Sequence, residues 1–158
     1  MCILLKPFPR GSVNINSDDP LGDPIFDYRI WSNPIDKKMH IRMQAYMRRH
    51  FLESEAFNDP NVVEQDPAPG AVTDDAGWEG WLLNQNKLMA SNGHSVGTAA
   101  MMPQELGGVV DNQLKVYGTL GLSIADTSII PLIPGTHTQT TACAIGEKAA
   151  DLIKSRYP

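Results

Sequence analysis

The stretch GTHTQTTACAIGEKAADLIKSR, Gly135 to Arg156, starts on a glycine, passes a histidine and then settles into helical spacing. Ala142, Ile145, Ala149, Leu152 and Ile153 recur at helical intervals, which predicts a helix from about Thr138 to Ser155 with one buried face. Lys154 and Arg156 fall at the end where the helix dipole is negative. His137 stands just before the first turn, where unpaired N–H groups and a positive partial charge suit an anionic group. Cys143 lies inside this helix among alanines and reads as a packed thiol rather than a nucleophile.

Upstream, a second histidine sits among small residues in Gly93-His94-Ser95-Val96-Gly97-Thr98. Glycines near an imidazole let the backbone approach a ligand closely. Imidazole is also the side chain best matched to proton transfer near neutral pH. His94 and His137 are therefore the candidate catalytic pair, one removing a hydroxyl proton while the other holds the oxygen. The bland alternative is a pair of hydrogen-bonded structural histidines. Between them, Gly107-Gly108 and Asp111-Asn112 mark turns, and Leu114–Tyr117 and Leu122–Ala125 read as short strands.

Further towards the N-terminus, Asn33-Pro34-Ile35-Asp36 marks a helix start: a capping side chain, a proline at the first helical position and an early acid. Met39, Met43, Tyr46, Met47 and His50 follow at helical spacing to about Leu52, a stripe expected to pack in the core. His40 and His50 are too far apart to form an i, i+4 metal pair and are expected to be structural or exposed. Residues 58–72, with Pro60, Pro67 and Pro69, read as a loop. Thr73-Asp74-Asp75 opens a second helix carrying Trp78, Trp81, Leu82 and Gln85, whose tryptophans are expected to pack against the sheet. Val13 and Ile15 alternate with polar neighbours in Arg10–Ile15 and predict a half-buried strand. Asn16–Pro24 is then a turn and Ile25–Trp31 a second extended stretch. The fold class expected is a mixed α+β domain with a mostly antiparallel sheet and flanking helices.

With 158 residues and 42% hydrophobic content, the chain has enough apolar surface for one compact domain. A net charge of −5 with dispersed lysines and arginines argues against nucleic-acid or anionic-membrane partners. No apolar run reaches the roughly 20 residues that span a bilayer. The opening MCILLKP carries too short an apolar stretch for a secretory signal, and localisation stays undetermined. Cys2 and Cys143 alone support neither a disulfide framework nor a thiolate metal site. A G-x-S-x-G elbow is absent, as are G-x-x-x-x-G-K-[ST] and G-x-G-x-x-G.

Taken whole, Gly93 to Ile153 strongly resembles the C-terminal region of the glucose–methanol–choline (GMC) oxidoreductases, the flavoproteins that include glucose oxidase and aryl-alcohol oxidase. The resemblance rests on an ordered set of motifs: H-x-V-G-T at His94, G-G-V-V-D at Gly107, D-x-S-x-x-P at Asp126, H-T-Q at His137 and G-E-K-A-A-D at Gly146. PFPRGSVNINSDDPLGDPIFDYRIWSNPID, Pro7 to Asp36, is similar to the family's substrate-domain strand, turn and helix. The resemblance implies that His94 is the base beside the flavin and His137 its hydrogen-bonding partner. It further implies that Asp126 approaches FAD and that the backbone of His137, Thr138 and Gln139 reaches the flavin pyrimidine edge. A hydroxyl proton would leave to a histidine while hydride passes from the carbinol carbon to flavin N5.

The family's dinucleotide-binding fold has no counterpart among these residues, so the chain reads as residues 1–158 of a C-terminal domain entered mid-way. The implied partners are a small-molecule alcohol and a missing N-terminal FAD domain or a partner chain. Two further readings stay open: a catalytically inactive truncated product or partner subunit, and a family member running non-redox lyase or cyclase chemistry.

Overall fold

The structure is a computed structural model that describes residues 2–84 and 93–156. Its contacts divide the chain into two units, Met1–Arg10 with Tyr28–Ala90, and Gly11–Asp27 with Ser91–Pro158.

In the first unit, helix α1 spans Pro34–Glu53 and starts where the sequence predicts. The Asn33 side chain caps it by accepting from Ile35 N–H at 2.9 Å, and Pro34 takes a position whose N–H would have no partner. Helix α2, Asp75–Leu83, is capped by Asp74, which accepts from Gly77 N–H at 2.8 Å. The two helices share a core of Ile41, Val72, Trp78 and Leu82, with Trp31, Ala45 and Trp81 packed around it. The tryptophans thus pack edge to face with each other and in a helix–helix core that includes Ile41 of α1 rather than against a sheet, which corrects the expectation. Gln85 lies outside the described residues. Ile41, Asp36 and Gln44 are the buried residues of α1, while Met39, Met43 and Met47 are only half-buried.

Polar side chains on α1 hold the first residues of the chain. Gln44, buried, accepts from Cys2 N–H at 3.1 Å and donates to the Cys2 carbonyl at 2.9 Å. His40 Nε2 donates to the same carbonyl at 3.1 Å, and buried Asp36 accepts from Phe8 N–H at 3.0 Å. Those bonds satisfy backbone groups that no sheet reaches. Arg48 joins α1 to the 58–72 loop through a two-pronged ion pair with Glu64, at 2.7 and 2.8 Å, and lies over the Trp78 ring.

In the second unit, strands β1 (Ser12–Asn14) and β2 (Ile25–Asp27) pair antiparallel, with Val13 opposite Phe26. Both are exposed throughout, whereas the alternation in Arg10–Ile15 predicts a half-buried strand. The second extended stretch ends early because Arg29 and Trp31 adopt φ +48° and +58°, left-handed values that no strand continues through. Leu114–Tyr117 and Leu122–Ala125 form isolated bridges, Val110 with Val116 and Lys115 with Ser123, instead of full strands. Leu114 at φ +64° bends the chain there, and Asp111 closes the turn by accepting from Gln113 and Lys115 N–H. Helix α3, Gln139–Arg156, packs Ala149 against Val110, Leu114 and Ile129, with Ile145 and Leu152 alongside. Ile153 and Cys143 are exposed, contrary to expectation: each is one residue, about 100° of helical turn, from the row of half-buried Ala142, Ile145 and Leu152 and buried Ala149. The fold is α+β, with the sheet reduced among the described residues to one two-stranded pair.

Candidate active site

Two segments distant in sequence meet at the head of α3. His94 follows Gly93, at φ +74°, and precedes Gly97, at φ +89°, conformations that an L side chain strains to adopt. Beyond Gly97 the chain runs alongside the turn at Thr127–Ile129, with Ala99 N–H donating to Ser128 O at 3.0 Å and Met101 N–H to Ile129 O at 2.8 Å. Ile129 is buried in the same core as Ala149 of α3, so the His94 segment is indirectly fixed to the helix.

His94 Nε2 lies 2.5 Å from His137 Nδ1, and the rings meet edge to face at a centroid distance of 4.6 Å. The other ring nitrogen of His94, Nδ1, lies 2.9 Å from Oγ1 of Thr138. Thr138 is buried, His94 half-buried and His137 exposed. The Thr138 carbonyl accepts from Ala142 N–H at 2.8 Å, which makes the residue the first anchor of α3. A neutral imidazole has one N–H and one lone pair, so the contact between the rings requires one to donate and the other to accept. Such an arrangement can take up a proton at one nitrogen while the partner ring holds a hydrogen bond.

The residues expected from the sequence divide accordingly. His94, His137 and Thr138 are brought together, and Gln139 is the first residue of α3, exposed beside them. Asp126 sits on the neighbouring turn, where its carboxylate accepts from Ser128 N–H at 2.7 Å and caps Thr127–Ile129. The hydroxyl of Thr127 donates to the Ser95 carbonyl at 3.5 Å, placing this turn beside the residue after His94. The side chain of Thr138 is the element that the sequence reading missed, since only its backbone entered the expectation. A β-branched hydroxyl directly before a helix, next to a histidine, was the signal for it. Among the described residues no cluster of three or more His, Cys, Asp or Glu side chains could hold a metal, and no helix is long and apolar enough to cross a membrane.

Comparison with known proteins places the chain in a family. Residues 7–146 match the model of the GMC oxidoreductases. A dehydrogenase, xptC, of Emericella nidulans is 40% identical over 97% of the chain, which covers 24% of that protein. The pyranose dehydrogenase of Agaricus campestris is 36% identical over 97% of the chain, covering 25% of that protein. The chain therefore spans about a quarter of the length of these curated relatives. Among solved structures, a fungal aryl-alcohol oxidase superposes with a TM-score of 0.79 at 37% identity, over 98% of this chain and 25% of that one. The formate oxidase of Aspergillus oryzae, with an R554K mutation described for its effect on FAD modification, reaches a TM-score of 0.83 at 30% identity, over 98% and 26%. The match over residues 7–146 and the superpositions agree: this chain belongs to the GMC oxidoreductase family and carries its C-terminal domain.

Proposed function

We propose that the chain is the C-terminal portion, residues 1–158, of an FAD-dependent oxidoreductase acting on the CH–OH group of an alcohol. The observation that carries this reading is the contact between His94 Nε2 and His137 Nδ1 at the head of α3. The donor set there fits the reactive end of a flavin: an 18-residue helix starts at Gln139, and the N–H groups of its first turn can face an anionic ring edge. The ADP part finds no glycine-rich cradle in this sequence, so its binding surface would come from polypeptide beyond these residues, whether an N-terminal FAD domain or a partner chain. When bound, FAD supplies the two-electron acceptor for the hydride leaving the carbinol carbon.

The chain's own residues manage the proton. The substrate oxygen enters in place of the direct contact between His94 Nε2 and His137 Nδ1; His94 then takes the hydroxyl proton at Nε2, and His137 holds that oxygen by a hydrogen bond as the carbonyl forms. Helix α3 contributes its positive end, which favours negative charge near its first turn by roughly 1 kcal/mol. Asp126 and the backbone of His137, Thr138 and Gln139 would hold the reactive end of the cofactor. The decisive experiment adds FAD to the chain, alone and together with a family-type nucleotide domain, and offers a panel of alcohols. Flavin uptake followed by bleaching on alcohol addition is the expected result in the assembled case. Failure of every assembly to reduce its flavin with any alcohol overturns the reading and leaves the inactive-subunit alternative.

A further inference from the structure

We propose that Thr138 is a positioning residue for His94, its hydroxyl holding the Nδ1 edge of the ring so that Nε2 faces His137. The inference is about the Thr138 side chain, whereas the family resemblance concerns only the backbone of that segment.

Three observations carry it. Thr138 Oγ1 lies 2.9 Å from His94 Nδ1, within ordinary hydrogen-bonding range. The residue is only 5% exposed, and its carbonyl is engaged by Ala142 N–H, so neither backbone nor side chain is free to drift. Threonine is also stiff at χ1, which fixes where its hydroxyl points. Meanwhile His94 presents its other nitrogen to His137 at 2.5 Å, so both edges of the ring are held.

The chemistry of a hydroxyl suits this place. With Nε2 the nitrogen that gains and loses the proton, Nδ1 carries N–H in both states, and the Thr138 hydroxyl accepts from it in both. An imidazole that gains a proton at Nε2 must carry N–H at Nδ1 as well, and in a half-buried setting that N–H needs an acceptor. Thr138 Oγ1 supplies one without having to move. The ring therefore keeps one orientation through both gain and loss of a proton.

As far as turnover is concerned, the inference rests on the proposed role of the histidine pair; the orientation of the ring does not. The test uses the 158-residue chain with 15N-labelled histidine, as wild type, Thr138→Val and Thr138→Ser. In wild type and Thr138→Ser, nuclear Overhauser contacts between the rings of His94 and His137 and a hydrogen-bonded Nδ1 resonance are expected. In Thr138→Val, with Ala149 and Leu152 methyl resonances confirming the fold, the ring contacts weaken and Nδ1 moves towards the position of exposed His50. Unchanged His94 resonances in folded Thr138→Val overturn the proposal. Should that variant unfold, the wild type decides alone: a slowly exchanging Thr138 hydroxyl proton in contact with the His94 ring supports the proposal, and its absence defeats it. In an assembly that holds FAD, Thr138→Val is expected to lower kcat roughly tenfold with KM changed less than about twofold, and Thr138→Ser to restore it. A ring that reorients in a protein unable to oxidise any alcohol would sink the functional reading and leave the positioning role standing.

Discussion

His94 and Thr138 are separated by 44 residues, yet Nδ1 of one lies 2.9 Å from Oγ1 of the other. A loop imidazole is thereby tied to the residue that opens α3. That tie makes the orientation of His94 a property of helix packing, and damage to α3 should be felt at the histidine.

Replacing His94 by alanine in an FAD-holding assembly should slow flavin reduction by about 10²–10⁴-fold, the range a positioned general base supplies. His137→Ala should cost less, since it removes a hydrogen bond to the substrate oxygen rather than the proton acceptor. Stopped-flow reduction under anaerobic conditions checks both. An unchanged rate in His94→Ala would remove it as base.

Gly97→Ala should perturb the same site without touching either imidazole. At φ +89° an added Cβ strains the backbone, at about 1–2 kcal/mol. We expect a lowered unfolding midpoint together with altered ring resonances of His94. Loss of stability with an untouched His94 spectrum would show that the loop absorbs the strain before it reaches the ring.

Burial pushes the His40 imidazole below its ordinary value of 6.5, against the opposing effect of its bond to the Cys2 carbonyl. The folded state thus binds a proton less readily than the unfolded one. No stability is lost on this account well above pH 6.5; as pH falls below that value, the unfolded chain protonates first and the fold weakens. Denaturant titrations at pH 7.5 and pH 5.5 should show this slope in the wild type and a shallower one in His40→Gln, which keeps a donor for the Cys2 carbonyl. Identical slopes would contradict the assignment.

Leu82 is fully buried between α1 and α2. Leu82→Ala should cost about 2–5 kcal/mol, the range for an emptied core site that relaxes only in part. Glu64→Ala should cost about 2 kcal/mol, because the Arg48 guanidinium, 20% exposed, loses its ionic partner. Chemical denaturation measures both, and a Glu64→Ala protein as stable as wild type would show that the Arg48–Trp78 contact suffices.

Much of this was legible in the residues, for identifiable reasons. Asn33 and Pro34 are local signals, so the start of α1 follows from them alone, and the apolar row of α3 fixes its buried face to within one residue. Small neighbours and imidazole chemistry make His94 and His137 candidates and the family motifs give them their roles, but no local rule says that rings 43 residues apart will meet. What failed depends on partners distant in sequence. The tryptophans of α2 meet a helix because Ile41 is there, which periodicity within α2 cannot reveal. Leu114 lies in an apolar run that reads as strand, but its positive φ is imposed by the Asp111 turn and the core it fills. Thr138 was read as backbone because its neighbourhood marks only a hydroxyl before a helix beside a histidine, while the partner, His94, lies 44 residues away.

The exposed thiol of Cys143 has a practical use. The other cysteine, Cys2, is half-buried with its Sγ turned to the Met43 carbonyl, so a maleimide dye should favour position 143. Four residues along α3 from Gln139 is about 6 Å of helix rise. A fluorophore attached there would sit next to the first turn of α3, and its emission would change as a ligand or a second polypeptide covers that end. The wild-type chain therefore already carries an address at which arrival of a ligand or a second polypeptide could be watched in real time.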